Sequence, residues 1–321
     1  MFVISMLLFL IGGFVILMIG AEALVRGGSS LALRLGITPL VIGLTIVAFG
    51  TSSPELAVSI QSALNGNDSI ALGNVIGSNV ANIGLILGVA AIIHPISVQA
   101  QVVRREIPIM IAVSIVMWAL LMDGQLQYWD GILLTIGIIV YIYYCYYQAR
   151  KEKEPSVQLE YAEGIPIIKG RIWIPVGLIV IGLGMLIGGG TLFVKGAVEL
   201  ARYFGVREAI IGLTIVAVGT SMPELATSVV AAIKKEGDIA IGNVVGSNIF
   251  NILGILGIAS LAHPITRKNF NIVDFGVMGL YALVLLPFAW SRFSLDRWEG
   301  ALLLAGYGGY IYYLLHNIPP V

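Results

Sequence analysis

Charge is what this chain of 321 residues is short of. Charged residues make up 11% of it, and 18 Lys+Arg offset 18 Asp+Glu to a formal net charge of zero. Without a basic excess, a nucleic-acid partner has no electrostatic support. Cysteine is almost absent. Cys145 stands alone, which excludes an internal disulfide and any cysteine-based metal site. Histidine is scarce as well, limited to His94, His263 and His316. The opening stretch, MFVISMLLFLIGGF, lacks a basic n-region and reads as a first span, not a cleaved signal.

What is present is apolar. Hydrophobic residues make up 58% of the chain, and its mean hydropathy is +0.95. A water-soluble domain needs far more polar surface, so composition predicts a membrane protein with the lipid bilayer as its surroundings. A span needs about 20 apolar residues. By that rule the chain holds ten candidates, near 2–25, 39–63, 70–93, 106–122, 129–147, 172–201, 209–233, 239–262, 272–290 and 297–315. The runs are long and continuously apolar instead of alternating, which predicts helices and not strands. Between the fifth and sixth lies the one long polar segment, 148–171, which reads as a solvated linker too short for a folded domain.

One stretch occurs twice. Residues 42–96 and 211–265 align without a gap, with roughly 33 of about 55 positions identical. The register of 169 residues extends further, since Trp129-Asp130-Gly131 returns as Trp298-Glu299-Gly300 and Tyr141-Ile142-Tyr143-Tyr144 as Tyr310-Ile311-Tyr312-Tyr313. Spans one to five therefore match spans six to ten. Five is odd, so a tandem copy crosses the membrane in the opposite sense. The expected fold is all-α: a polytopic membrane protein with ten transmembrane helices in two inverted-topology repeats of five. The repeats take 1–147 and 172–321, with 148–171 as the linker and a binding site near the midplane between them. Putting the N-terminus outside places about 13 of the 18 Lys and Arg, and the central linker, on the cytoplasmic side.

The repeat carries a helix break and an acid. In GTSSPE, residues 50–55, Pro54 has no backbone N–H, so the Gly50 carbonyl loses its helical partner. In hydrocarbon a freed carbonyl must find another partner, and a cation is one. GTSMPE, residues 219–224, repeats the break. A carboxylate at mid-bilayer costs on the order of 3 kcal/mol. No Lys or Arg lies between Gly36 and Val103, and the first after Glu224 is Lys234, about 15 Å along a helix. Two protonated glutamates holding helices together is the bland reading. The sharper one brings Glu55 and Glu224 together around a cation.

The companion motif is GNVIGSNVAN, residues 73–82, mirrored by GNVVGSNIFN, residues 242–251. Ser78 and Asn82 stand four apart, as do Ser247 and Asn251, so each pair shares one helix face. For Asn74, Asn79, Asn243 and Asn248, helix packing and ligation both remain open. Two carboxylates, hydroxyls, amide oxygens and bare carbonyls form an all-oxygen set that suits Ca²⁺ better than Mg²⁺ or softer metals.

These two motifs resemble the alpha repeats of the cation/Ca²⁺ exchanger superfamily, specifically the prokaryotic sodium/calcium exchangers. The resemblance covers essentially the whole chain. It implies an antiporter of the cell (inner) membrane, not an enzyme, with Ca²⁺ and Na⁺ as transported ions, no cofactor and no obligate protein partner. It further implies that Glu55 and Glu224 bind Ca²⁺ with the backbone carbonyls of Thr51 and Thr220. Na⁺ sites would use Ala48, Thr51, Ser52, Glu55 and Ser78 on one side, and Ala217, Thr220, Ser221, Glu224 and Ser247 on the other. Asn82 and Asn251 would line the middle. Na⁺ and Ca²⁺ drawing on the same glutamates exclude one another, which with alternating access gives antiport. In the family, spans one and six slide across the rest. Their glycines, among them Gly12, Gly13, Gly20, Gly27, Gly177, Gly182, Gly184, Gly188 and Gly189, fit either a sliding surface or close static packing.

The nearest rival is a proton-driven Ca²⁺ exchanger, but relatives of that kind place a glutamate where this chain has GSN. An intramembrane enzyme would want a base or metal cluster at the carboxylates, whereas all three histidines lie at span ends. A passive channel would carry Ca²⁺ without counter-ion dependence. The tyrosine runs near 141 and 310 read as aromatic belts, and Asp123, Asp130, Asp296 and Glu299 as solvated loop residues. Some relatives, including potassium-dependent ones, carry Asp where this chain has Asn251. Exchange is therefore expected to be indifferent to K⁺, and flux assays on Asn251→Asp with and without K⁺ test whether dependence can be introduced.

Overall fold

The computed structural model describes residues 2–151, 172–204, 217–267, 270 and 272–317. Most of the linker and the start of the expected seventh span, with Arg207 and Lys268, lie outside them. The described chain is almost entirely helical. A lipid interior offers the backbone no hydrogen-bond partners, and a helix pairs its own. In chain order the helices are α1 (Phe2–Leu35), α2 (Pro39–Thr51 and Ser53–Leu64), α3 (Asp68–Ile93), α4 (Val102–Asp123), α5 (Tyr128–Lys151) and α6 (Trp173–Tyr203). There follow α7 (Ala217–Thr220 and Met222–Ile233), α8 (Gly237–Ala262), α9 (Ile272–Trp290) and α10 (Arg297–Asn317). Among the described residues seven helices are long and apolar enough to cross a membrane, or eight if the two pieces of α2, bent by 45°, count as one. The expected seventh span falls short because residues 209–216 are not described. The tenth falls short because its glycines and tyrosines dilute its hydropathy.

The bundle has an inside and an outside. In their most apolar 18-residue stretches, 89% of the residues of α8 and 72% of those of α3 are buried, against 33% for α1 and 28% for α6. The two helices carrying the GN-xx-GSN-xx-N motif therefore form the centre. The outer helices expose large apolar side chains such as Leu8, Ile11, Val180 and Ile181, as lipid contact requires.

The glycines of α1 and α6 face each other. A Cβ on Gly13 would lie 2.8 Å from the Gly189 carbonyl, one on Gly20 2.9 Å from that of Gly182, and one on Gly27 2.9 Å from that of Pro175. The residue numbers rise on α1 as they fall on α6, so the helices run antiparallel. Every seventh residue is the contact, which lets the backbones meet directly. Of the two uses the sequence allows these glycines, close packing of α1 on α6 is the one that Gly13, Gly20, Gly27, Gly182 and Gly189 serve. Gly12, Gly177, Gly184 and Gly188 have open space where a Cβ would stand.

Two short antiparallel ladders tie the helix ends together. Strand β1 (Ile96–Ser97) pairs with β4 (Ser294–Leu295), and β2 (Gln125–Leu126) with β3 (Ile265–Thr266). Each joins a connector from one half of the chain to a connector from the other.

Three expectations need correction. Helix α1 continues to Leu35, ten residues past the end that hydropathy suggests. Arg26 does not stop it, because Arg26 pairs with Glu22, which also accepts from Lys234 Nζ at 3.0 Å. Glu299 is buried, not solvated, and accepts from the Asp296 N–H at 2.7 Å and Ser291 Oγ at 3.1 Å. It closes the first turn of α10, as a capping-box acid does. Tyr141 and Tyr310 are not belt residues. Tyr141 is buried and donates to Glu106 Oε2 at 3.0 Å, while Tyr310 donates to Asp274 Oδ1 at 3.1 Å. Their neighbours Tyr143, Tyr147 and Tyr312 are exposed.

Replacing Gly20 or Gly182 by Leu forces a side chain into backbone. We expect a loss of about 1–3 kcal/mol, read as a lower Tm in detergent, whereas Gly184→Ala costs no stability.

Candidate cation-binding site

Helices α2 and α7 break at matching places. Ser52 (φ −79°, ψ 8°) and Ser221 (φ −87°, ψ 10°) leave helical geometry, and each is followed by a new helix with proline in its first turn. That turn tolerates proline because its N–H groups have no intrahelical partner. Glu55 and Glu224 sit in the same first turns, where those N–H groups and the helix dipole favour a negative charge. One local sequence thus makes the break and places an acid at its positive end.

The two breaks clasp each other. Ser52 Oγ donates to Glu224 Oε1 at 2.9 Å, and Ser221 Oγ donates to Glu55 Oε1 at 2.9 Å. Each serine stands three residues before its own helix's glutamate and holds the other's. The carboxylates are consequently near neighbours, within electrostatic reach of one another. Ser78 Oγ joins the group, 3.4 Å from Ser221 Oγ. Glu55 is 0% exposed and Glu224 1%, and the Oε2 atom of each is buried with no hydrogen-bond donor. A buried carboxylate oxygen without a donor is costly. Two such oxygens on neighbouring carboxylates call for a proton or a cation.

Helices α3 and α8 supply the walls. Asn74 Nδ2 donates to the Glu55 carbonyl at 3.1 Å and to Ser59 Oγ at 2.9 Å, and Asn243 Nδ2 to the Glu224 carbonyl at 3.4 Å and to Ser228 Oγ at 3.0 Å. These asparagines brace the backbone of the glutamates. Asn79 and Asn248 face each other across the helix crossing, each donating to the other's carbonyl at 3.3 Å. Asn82 donates to Asn248 Oδ1 at 2.9 Å and Asn251 to Asn79 Oδ1 at 3.0 Å. The Oδ1 atoms of Asn82 and Asn251 are buried without a donor, as is Ser247 Oγ. A wide π-type turn begins at Asn82 and another at Asn251, a distortion common at functional sites.

The remaining expected residues fall around this centre. Thr51 is buried, its hydroxyl 3.0 Å from the Val47 carbonyl and 3.1 Å from Asn243 Oδ1. Thr220 is half-buried and borders Glu55. Ala48 is buried against the Gly246 position, and Ala217 opens the described part of α7. His94 and His263 lie at helix ends with Nδ1 on the Pro95 and Pro264 carbonyls, at 2.8 Å and 2.9 Å. Among the described residues no three His, Cys, Asp or Glu side chains cluster. The centre offers oxygen and two carboxylates, a donor set for hard cations. Sequence reasoning missed the serine clasp and the bracing pairs Asn74–Ser59 and Asn243–Ser228. The signal was the shared 169-residue register, which repeats each of these contacts in both halves.

A family model described as sodium/calcium exchanger protein matches residues 5–149 and 174–316. The chain belongs to this family. Sodium/calcium exchanger proteins are membrane transporters, so this protein is a multi-pass membrane cation exchanger and not an enzyme. Its relatives include the inner membrane protein YrbG of Escherichia coli, 37% identical over 310 residues that cover 93% of each chain. The sodium/calcium exchanger MaX1 of Methanosarcina acetivorans is 31% identical over 343 residues, covering 96% of this chain and 98% of its own. A solved structure of the sodium-calcium exchanger NCX_Mj, soaked with Na⁺ and Ca²⁺, superposes with a TM-score of 0.83 at 32% identity, covering 96% of this chain and 97% of that one.

Asn243→Ala in this exchanger removes the donor to the Glu224 carbonyl and the acceptor for Thr51. A buried polar group left unpaired costs about 1–3 kcal/mol, so a lower Tm is expected, whereas Asn65→Ala, beyond the end of α2, leaves Tm unchanged.

Proposed function

We propose that the protein is a Na⁺/Ca²⁺ antiporter of the cell (inner) membrane that exports Ca²⁺ by using the inward Na⁺ gradient. One observation carries this reading: two buried glutamates from opposite halves of the chain, each with one oxygen lacking a donor. Two carboxylates neutralise one Ca²⁺. Glu55, Glu224 and the Thr51 and Thr220 carbonyls hold it. Na⁺ takes the overlapping sets of Ala48, Thr51, Ser52, Glu55 and Ser78, and of Ala217, Thr220, Ser221, Glu224 and Ser247. Asn82 and Asn251 line the middle, their oxygens toward whichever ion is bound. Shared glutamates make occupancy exclusive, and exclusive occupancy couples the two fluxes. The names of MaX1 and NCX_Mj, both sodium/calcium exchangers, support Na⁺ as the driving ion, and that of YrbG supports the inner membrane.

The architecture in this reading is ten transmembrane helices in two inverted repeats, 1–147 and 172–321, joined by a cytoplasmic linker, 148–171, with the N-terminus outside. The ladders support it. Strands of one ladder lie on one side of the membrane, so an even number of crossings separates them. Between β1 and β4 lie α4 to α9, and between β2 and β3 lie α5 to α8. Both counts are even only if α7 crosses. Helices α1 and α6, locked together through their glycines, move as one body against the other eight to open the site to either side.

Proteoliposomes test the proposal. Calcium uptake driven by an outward Na⁺ gradient, with no response to a pH gradient, is the expected result. Uptake driven by pH alone assigns the protein to proton-coupled exchange instead, and Ca²⁺ flux without any counter-ion makes it a channel. Glu55→Gln and Glu224→Gln each lower exchange by about 100-fold or more, the scale of a lost partner in a buried charge set, while size-exclusion profiles stay unchanged. Retained exchange in both variants rules out the site.

A further inference from the structure

The four asparagines at the crossing of α3 and α8 have a direction. A carboxamide carries an acceptor on one side and a two-proton donor on the other, and half a turn about its last torsion exchanges them. A cation accepts only the oxygen side. Asn82 and Asn251 each leave Oδ1 without a donor and place Nδ2 against an acceptor from the opposite half. For Asn251 that acceptor is Oδ1 of Asn79, and for Asn82 it is Oδ1 of Asn248.

What keeps those acceptors turned that way is the backbone. Asn79 Nδ2 donates to the Asn248 carbonyl and Asn248 Nδ2 to the Asn79 carbonyl, both at 3.3 Å. A main-chain carbonyl has no donor side and cannot reverse. If Asn79 turned over, its oxygen would meet the Asn248 carbonyl, acceptor against acceptor. If Asn251 turned over, its oxygen would meet Asn79 Oδ1, and its N–H₂ would point where its unpartnered oxygen now points. All four residues are at most 2% exposed, so water cannot relieve either mismatch. The sulfur atoms of Met278, 3.9 Å from Asn79 Nδ2, and Met110, 3.5 Å from Asn248 Nδ2, lie beside the same amides. They are weak acceptors and likewise favour the N–H₂ side there.

We propose that Asn79 and Asn248 are positioning residues that act across the two halves, fixing the amides of Asn251 and Asn82 so that carbonyl oxygen, and never N–H, faces the transported cation. The proposal rests on Asn82 and Asn251 being cation ligands. It has a consequence that helix packing alone lacks. An aspartate has no donor side to hold, and its second oxygen would meet Asn79 Oδ1, acceptor against acceptor, so Asn79 favours Ca²⁺ binding only while residue 251 is an amide.

The test is Ca²⁺-dependent exchange in proteoliposomes, separating KM from the maximal rate. Asn79→Ala and Asn248→Ala each raise the KM for Ca²⁺ about tenfold, the scale of one lost oriented contact, with the maximal rate changed less than about threefold on that scale. In the N251D background, N79A no longer raises KM, and a cycle of the four proteins measures the coupling. An equal KM effect of N79A in both backgrounds overturns the proposal in favour of packing, as does failure of both alanine variants to fold. If one folds, its KM decides. N82A and N251A are the controls. If neither alters KM, the ligand reading fails and the proposal with it. If they raise KM and N79A and N248A do not, the proposal alone fails.

Discussion

Two acids buried in an apolar bundle are the constraint around which this protein is built. An ionised carboxylate in hydrocarbon is stable only when its oxygens are met by donors or by a cation. Here each glutamate receives one serine hydroxyl, from the opposite half of the chain, and keeps one oxygen bare. Half-satisfaction of this kind is a poor way to stabilise a fold and a good way to hold an ion that must also leave. The break at Ser52-Ser53-Pro54, the brace from Asn74 and the positive end of the following helix all serve to keep Glu55 in place. Their counterparts do the same for Glu224.

Reciprocity is the second theme. Ser52 holds Glu224 as Ser221 holds Glu55, Asn82 meets Asn248 as Asn251 meets Asn79, and the strand at Ile96 pairs at Leu295 as the strand at Leu126 pairs at Ile265. Each half is incomplete without the other. The site is therefore an interface, and its contents respond to any movement between the parts that form it. Helices α1 and α6 stand apart from this exchange. They meet each other backbone to backbone, and each has an exposed apolar outer face.

How much was legible beforehand varied with the kind of interaction. The helical class, the breaks before Glu55 and Glu224 and the all-oxygen donor set follow from local chemistry: apolar runs, a missing proline N–H, and the absence of His and Cys near the acids. The outcome for Asn74 and Asn79 did not follow, since an asparagine on a helix face serves packing and ligation equally well until its neighbours are known. Glu299 and Tyr141 misled for the same reason. A charged residue after a turn and a tyrosine near a helix end suggest solvent and interface, yet one caps its own helix inside the protein and the other bonds a buried acid.

Which residues matter is already written in the amino-acid order, because a gapless repeat that keeps an acid inside apolar sequence twice leaves few other readings. Who holds whom is set by packing. Serine reaches the other half's glutamate and not its own, and the asparagine amides point one way across the α3–α8 crossing, because both depend on contacts between residues about 170 positions apart. Periodicity and spacing describe a helix's own faces. They carry no record of what those faces meet.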